Sequence, residues 1–334
     1  MTWSSIRRRN TDVIPSIAQA VGDFDVRRSR VFAVARSLMA IAQITVLLFT
    51  PTSYLIVPVA GAPTGPQCGN FNDWTAYCLV GSTDLQWVSW LLIAGLVLVI
   101  SGALPRMTAV LHVWITFSIS TAIVLPDGGE SAAQLFCVFF LLIGLADSRR
   151  NHWSVSPAGT SPSPLAPAAW AGWWGLRVQV FWIYVTASIA KFSVAEWADG
   201  SAIYYVTRQV FFGVDGPLAG PILFLTEIPI VSLGLTWGSM ILELSIAILV
   251  LLPYRYRRGA FFLSAMFHVG IIFTIGLWSF GAIMIAGVLA TLSDRGSHHG
   301  FISVAHVDDE SGRTVPAGCQ VKVRDREAPA GVSA

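Results

Sequence analysis

The sequence predicts an all-α protein: a polytopic membrane helix bundle of about eight spans with an outer interfacial or re-entrant helix. Two observations carry this. The 334 residues are 54% hydrophobic and 12% charged, against roughly a quarter charged in soluble domains. Apolar stretches near the ~20 residues needed to cross a bilayer core also recur along nearly all of residues 31–293, with no polar block large enough for a soluble domain between them. The net charge of +2 is scattered in short clusters, so no basic field points to nucleic acid. The lipid bilayer is the first expected partner.

Residues 1–30 are polar and carry Arg7, Arg8, Arg9, Arg27, Arg28 and Arg30. They lack a short apolar core before a small-residue cleavage site, so this segment is expected to be cytoplasmic and the first span retained. Spans are predicted at about 31–51, 86–104, 107–125, 132–147, 170–194, 228–252, 260–278 and 280–293. Trp278, Ser279, Phe280 and Gly281 then form a tight outer turn; a kinked single helix there would give seven spans and move the C-terminus across the membrane.

Lys and Arg accumulate in short cytoplasmic loops, and that asymmetry favours eight. With the N-terminus inside, the inner segments hold the N-terminal arginines, Arg106, Arg149, Arg150, Arg255, Arg257, Arg258, Arg295 and the tail residues Arg313, Lys322, Arg324 and Arg326. The outer segments hold Arg208 and collect Asp73, Asp84, Asp127, Glu130, Glu196, Asp199, Asp215 and Glu227. A multi-pass protein of a bacterial cell membrane is expected, with both termini cytoplasmic and an acidic outer face. Residues 148–168, rich in Ser, Pro and Ala, read as a flexible inner linker between two groups of four spans. Residues 294–334 read as a disordered cytoplasmic tail. His298, His299 and His306 in that tail are expected to be solvated, and no metal site is expected. Cys68 and Cys78, ten apart in the outer loop after the first span, face an oxidising compartment and are expected to form a disulfide, two free thiols being the alternative.

Polar groups inside spans are costly unless paired or hydrated. Here they are Arg36, His112, Arg177, Lys191, Glu243 and His268. Glu243 is expected in a structural ion pair with Arg177 or Arg36. Arg177, Tyr184 and Lys191 are spaced by sevens, hence on one helix face. Lys191 precedes Phe192-Ser-Val-Ala-Glu196-Trp197-Ala-Asp199-Gly200, then Tyr204-Tyr205, an aromatic amphipathic segment suited to an outer interfacial helix. A lysine under such a cap can lose its proton and serve as a general base; the bland alternative is a lysine snorkelling at a helix end.

Those residues, with Glu243 and Phe267-His268, resemble the membrane domain of vitamin K-dependent gamma-carboxylases, the horizontally transferred transmembrane (HTTM) domain, over most of residues 25–293. Within that superfamily the chain is closer to bacterial sporulation-delaying toxin maturation proteins. The features are Phe24-Asp25 before Ala35-Arg36-Ser37-Leu38, the Cys68/Cys78 loop, Leu125-Pro-Asp127-Gly-Gly129, and Trp197-Asp199-Gly200 with Tyr204-Tyr205. The resemblance implies maturation or export of a secreted peptide toxin precursor beside an A-type maturation protein. It also implies that Lys191 holds the position of the carboxylase base, with His268 as a second catalytic candidate and Trp197, Asp199, Tyr204, Tyr205 and Glu130 as binding candidates. A quinone is the one cofactor it brings into view. The carboxylase histidine before the fourth span has no counterpart, Glu130-Ser131 standing there, and no large soluble domain follows. Three readings remain open: a toxin maturation factor, a quinone- or lipid-directed enzyme abstracting a proton with Lys191, and a non-catalytic peptide transporter or immunity protein. No serine hydrolase motif, paired metal-binding helix or phosphate-cradling glycine loop is present.

Overall fold

The computed structural model describes residues 20–57, 61, 65–80, 85–123, 128–157, 160–210, 213–294, 306–308 and 314–316. Among the described residues, eight long helices occupy the eight predicted apolar stretches: α1 (Val31–Phe49), α2 (Gln86–Ser101), α3 (Pro105–Ala122), α4 (Gly129–Leu145), α5 (Ala166–Lys191), α6 (Pro229–Leu251), α7 (Tyr254–Ile275) and α8 (Trp278–Ala290). Three of them, α1, α6 and α7, are long and apolar enough by themselves to cross a membrane. The chain is a membrane protein. Arg7, Arg8, Arg9, Asp84, Leu125 to Asp127 and Arg295 lie outside the described residues, as does most of the tail, including His298, His299, Arg313, Cys319, Lys322, Arg324 and Arg326. Ser297–Ala334 is a unit of its own, in which strands β1 (His306–Asp308) and β2 (Thr314–Pro316) pair antiparallel with Val307 opposite Val315.

Local chemistry sets the helix boundaries. Prolines, pre-set for helical φ and lacking a donor the first turn cannot use, open α3, α5 and α6. Gly276 closes α7 in the left-handed region at φ +74°. The seventh and eighth helices are therefore separate, and the turn falls at 276–277, just before the aromatic stretch where it was expected.

Each helix packs on the next in sequence, and α8 closes the ring on α1 while also touching α4 and α5. This shortest helix is the most central. Gly281, Ile283, Met284, Ala286, Gly287, Val288 and Ala290 are all buried. A Cβ on Gly287 would stand 2.4 Å from the Phe136 ring of α4, and one on Gly281 would stand 2.7 Å from the Ile272 side chain of α7. Small residues of this kind let helices approach closely where lipid offers no hydrophobic drive. One apolar cluster joins α4 to α8 with the first half of α1, and a second joins α1, α2 and α3. Large apolar side chains such as Met107, Val138, Trp182, Ile241, Phe262 and Phe273 face outward, while Arg36, Gln43, His112, Arg177, Glu243 and His268 are buried. Apolar outside and polar inside is the arrangement hydrocarbon solvent demands.

Cys68 and Cys78 form a disulfide with Cα atoms 5.7 Å apart. Their loop is docked: Tyr77 shares a hydrogen bond with Ser89 at 2.9 Å, and the Ala76 N–H donates to Ser118 Oγ at 3.0 Å. The segment expected as a flexible inner linker is tied over its first half. His152 N–H donates to Gly102 O at 2.9 Å, Leu104 N–H to Arg150 O at 2.9 Å, and Ser156 N–H to Arg27 O at 3.0 Å. Arg149 pairs with Asp147 at 2.6 Å and Arg27 with Asp25 at 2.8 Å. Gly102 has φ +80°, and a Cβ there would meet the His152 ring at 2.4 Å. Composition suggested a spacer; the paired ions and turn hydrogen bonds make it a clamp.

Gly287→Ala should lower the melting temperature of the detergent-solubilised protein by several degrees, since overpacking costs about 1–3 kcal/mol. Phe136→Leu in the same chain should recover much of the loss. Unchanged melting of the single variant would refute the close approach at α8.

Candidate functional site

The inward face of α5 carries Arg177, Tyr184 and Lys191, and the structure gives each a different partner along the length of the helix. Near the middle of α5, Arg177 donates to the carbonyls of Val250 (3.0 Å), Leu251 (2.6 Å) and Leu252 (3.3 Å) at the C-terminal end of α6. Its guanidinium lies over the rings of Trp174 and Trp173, 3.9 and 4.6 Å from their centroids. It thus caps the electronegative C-terminus of α6. Further along, Tyr184 Oη shares hydrogen bonds with Ser264 Oγ at 2.9 Å and His268 Nε2 at 2.8 Å, both on α7. Ser264 and His268, four apart, share one helix face. At the C-terminal end Lys191 Nζ donates to both carboxylate oxygens of Glu243, at 2.6 and 2.7 Å.

Glu243 is therefore not paired with Arg177 or Arg36, as expected from the sequence. Arg177 is committed to backbone carbonyls, and Arg36, 1% exposed, sits on α1 and donates to Pro105 O at 3.3 Å. Helix geometry explains why Lys191 wins. The Cα–Cβ bond of a helical residue tilts towards the N-terminus of its helix, so a lysine in the last turn of α5 leans back into the bundle rather than out towards water. Its ammonium also lies within 3.4 Å of Ala187 O, one turn back. The Lys191 and Glu243 side chains are 20% and 8% exposed, and Glu243 lies about 12 Å from the C-terminal end of α6 at 1.5 Å per residue. The Trp197 ring stands 5.1 Å from Nζ, completing the cover with a cation–π contact.

This geometry revises the lysine's chemistry. Held by two carboxylate oxygens, Lys191 is engaged as a hydrogen-bond donor to Glu243, with its lone pair not offered to a substrate in this arrangement. His268 is 2% exposed, packed edge-on against Phe267 and Phe280, with Tyr184 and Ser264 as its hydroxyl neighbours. Ser264 was missed at the sequence level; its i,i+4 relation to His268 was the available signal.

The remaining predicted residues separate into two places. Asp199 and Tyr204 line a cavity of about 540 Å³ together with Thr226, Glu227, Ser232 and Leu233, a cavity that neither Lys191 nor His268 lines. Asp199 Oδ1 accepts from Ser201 N–H at 2.9 Å and Ser201 Oγ–H at 2.6 Å, which holds its carboxyl below the usual carboxylate range. Gly200 turns the chain there at φ +88°, and a Cβ would strike Leu233 Cδ1 at 2.2 Å. Tyr205 stands edge-on to Tyr204 at 5.2 Å and is itself exposed. Glu130 is buried in the first turn of α4, lining a small void with Gln43 and Thr116. There Gln43 meets His112 Nε2 at 2.9 Å and donates to Thr116 Oγ1 at 2.8 Å. Among the described residues, no group of three His, Cys, Asp or Glu is placed to hold a metal ion.

Comparison with known proteins adds a family to this geometry. The HTTM domain matches at residues 133–293, a stretch that includes Tyr184, Lys191, Glu243 and His268. The chain is 34% identical over 266 residues to the sporulation-delaying protein SdpB of Bacillus subtilis (strain 168), covering 78% of this chain and 80% of that protein. The chain belongs to the SdpB-like HTTM family. It is also 30% identical over 282 residues to the uncharacterized protein YitO of the same organism, covering 83% of this chain and 90% of the relative. No solved structure matches the chain.

Breaking a buried ion pair costs about 3–5 kcal/mol because the survivor stays charged and unpaired. Lys191→Met and Glu243→Gln should each destabilise the protein in detergent, towards the lower end of that range given the partial exposure of the lysine. The double variant should lose less than the sum. Additive losses in this cycle would dissolve the pair.

Proposed function

We propose that this protein is a membrane factor for the maturation or export of a secreted peptide toxin, working beside an A-type maturation protein. Membership of a family that includes a sporulation-delaying protein supports the class of task. The observation that carries the site is the Lys191–Glu243 pair, covered by Trp197 and set beside the Tyr184–Ser264–His268 cluster. A charged pair in a membrane bundle is expensive to keep, and α5 and α6 already hold together through Arg177 and the Ser188 Oγ–Met240 O bond at 3.1 Å. On this reading the pair serves the passing peptide, as a proton donor and acceptor or as an exchangeable charge partner.

The proposed topology has eight spans, both termini cytoplasmic and the Cys68–Cys78 loop outside. A membrane-impermeant maleimide applied to intact cells should label Cys68 and Cys78 after mild reduction and leave Cys319 unlabelled until the cells are opened. Labelling of Cys319 in intact cells would overturn the arrangement.

The function is tested by coexpressing the protein with a toxin precursor and its A-type partner and measuring mature toxin by mass spectrometry. The Lys191→Met/Glu243→Gln double variant, chosen because it leaves no unpaired buried charge, should remain in the membrane at normal abundance and reduce mature toxin at least about tenfold. Undiminished toxin would remove the pair from the mechanism. A second reading, proton abstraction from a quinone or lipid, is favoured by the hydroxyl–imidazole cluster of Tyr184, Ser264 and His268. Quinone-dependent turnover without any peptide would select it over the first.

A further inference from the structure

The cavity beside Asp199 is built rather than incidental. Arg208 holds its frame: Nη1 donates to Tyr204 O (3.0 Å), Thr207 Oγ1 (3.1 Å) and Thr226 Oγ1 (2.9 Å), while Nη2 donates to Leu223 O at 2.8 Å and reaches Glu227 Oε1 at 3.3 Å. The same guanidinium lies 3.9 Å over the Tyr204 ring. It thereby locks the helix at Ala202–Val206 to the one at Ala219–Glu227. On the other wall, the Ile203 N–H donates to Thr236 Oγ1 of α6 at 3.2 Å.

Charge and hydrogen bonding are both left incomplete in this frame. Two carboxylates, Asp199 and Glu227, face the cavity against the one guanidinium of Arg208, so the recess carries a net charge of about −1. Both bonds to Asp199 from Ser201 fall on Oδ1. Ser232, 5% exposed, lines the recess with a buried hydroxyl that has no hydrogen-bond partner among the described residues. A buried polar atom of that kind is costly until a ligand satisfies it. The rest of the wall is apolar, formed by Pro229, Ile230 and Leu233.

We infer that this recess binds the side chain of a lysine presented by a peptide, its ammonium received by Asp199, Glu227 and Ser232 and its methylenes laid on Ile230 and Leu233. The class of ligand follows from three features together: one missing positive charge, acceptors on more than one side, and an apolar approach long enough for an aliphatic stem. An aminophospholipid brings a phosphate close to its ammonium. The only cation in the frame that could receive it is Arg208, already committed to five partners. This inference rests on the reading of the protein as one that handles a peptide, and it places the recognition of that peptide at a recess separate from the Lys191–Glu243 pair.

The test uses the full-length protein in phosphatidylcholine nanodiscs and a fluorescent, N-acetylated, C-amidated apolar decapeptide with one central lysine, read by anisotropy. The lysine peptide should bind at least about tenfold more tightly than its norleucine counterpart, and added salt should narrow the gap. Asp199→Asn and Glu227→Gln should each erase most of that preference, and Ser232→Ala should weaken lysine binding a few-fold. Equal binding of the two peptides, or a preference that survives both carboxylate variants, overturns the inference. Replacing part of the phosphatidylcholine with phosphatidylethanolamine provides the lipid arm: unchanged peptide binding supports the assignment, and abolished binding hands the recess to the lipid headgroup. Failure here leaves toxin output untouched as a measure of the maturation reading. Conversely, a lysine preference alongside undiminished toxin from the Lys191/Glu243 double variant keeps the recess and discards the role of the pair.

Discussion

In a bilayer no hydrophobic effect presses helices together, so a bundle depends on how closely its members can approach and on which polar groups they can share. Here that closeness is concentrated on α8. Gly281 and Gly287 accept Ile272 and the Phe136 ring where any side chain would collide, and the helix so admitted touches α1, α4, α5 and α7. It is the member that closes the ring, from α7 back to α1.

Within that ring the polar interior is divided. On the α1–α3–α4 side, Gln43 joins His112 to Thr116, with Arg36 and Glu130 buried on the neighbouring helices. On the α5–α6–α7 side, Arg177, Tyr184 and Lys191 each meet a different partner along one face. The separation matters because the two sides do different physical work. The first side is a glutamine-centred hydrogen-bond network beside the buried Arg36 and Glu130. The second sets a carboxylate and an ammonium in direct contact under an aromatic cover.

The sequence made the helices, the inward face of α5 and the disulfide legible, because each rests on a local signal: apolar length, a spacing of sevens, and two cysteines in one loop. It misassigned the partner of Glu243. Depth along a span suggested Arg177 or Arg36, but the backward lean of a side chain in the last helical turn brings Lys191 down to the carboxylate, and that direction has no signature in hydropathy. Composition likewise described 148–168 as a spacer, whereas Asp147 with Arg149 and Asp25 with Arg27 anchor its start. Ser232 and Glu227 stayed hidden for a third reason. Their importance comes from a recess formed by segments about thirty residues apart, and Gly200, which shapes one wall, is informative only once its approach to Leu233 is seen.

The cap that Arg177 places on the end of α6 has a mechanical meaning. It pins the middle of α5 to the C-terminal end of α6 through three carbonyls, with the guanidinium braced by two indole rings of α5 itself. Lys191 lies fourteen residues further along α5, a lever arm of about 21 Å at 1.5 Å per residue. Pivoting α5 by about 5° on that pin carries the lysine roughly 2 Å, enough to part Nζ from Glu243 once the Ser188 Oγ–Met240 O bond also yields. The two helices are thus arranged as a forceps: hinged at Arg177, fastened near Lys191 by the ionic clasp and the Ser188 hydroxyl, and opened by whatever offers that clasp a better partner.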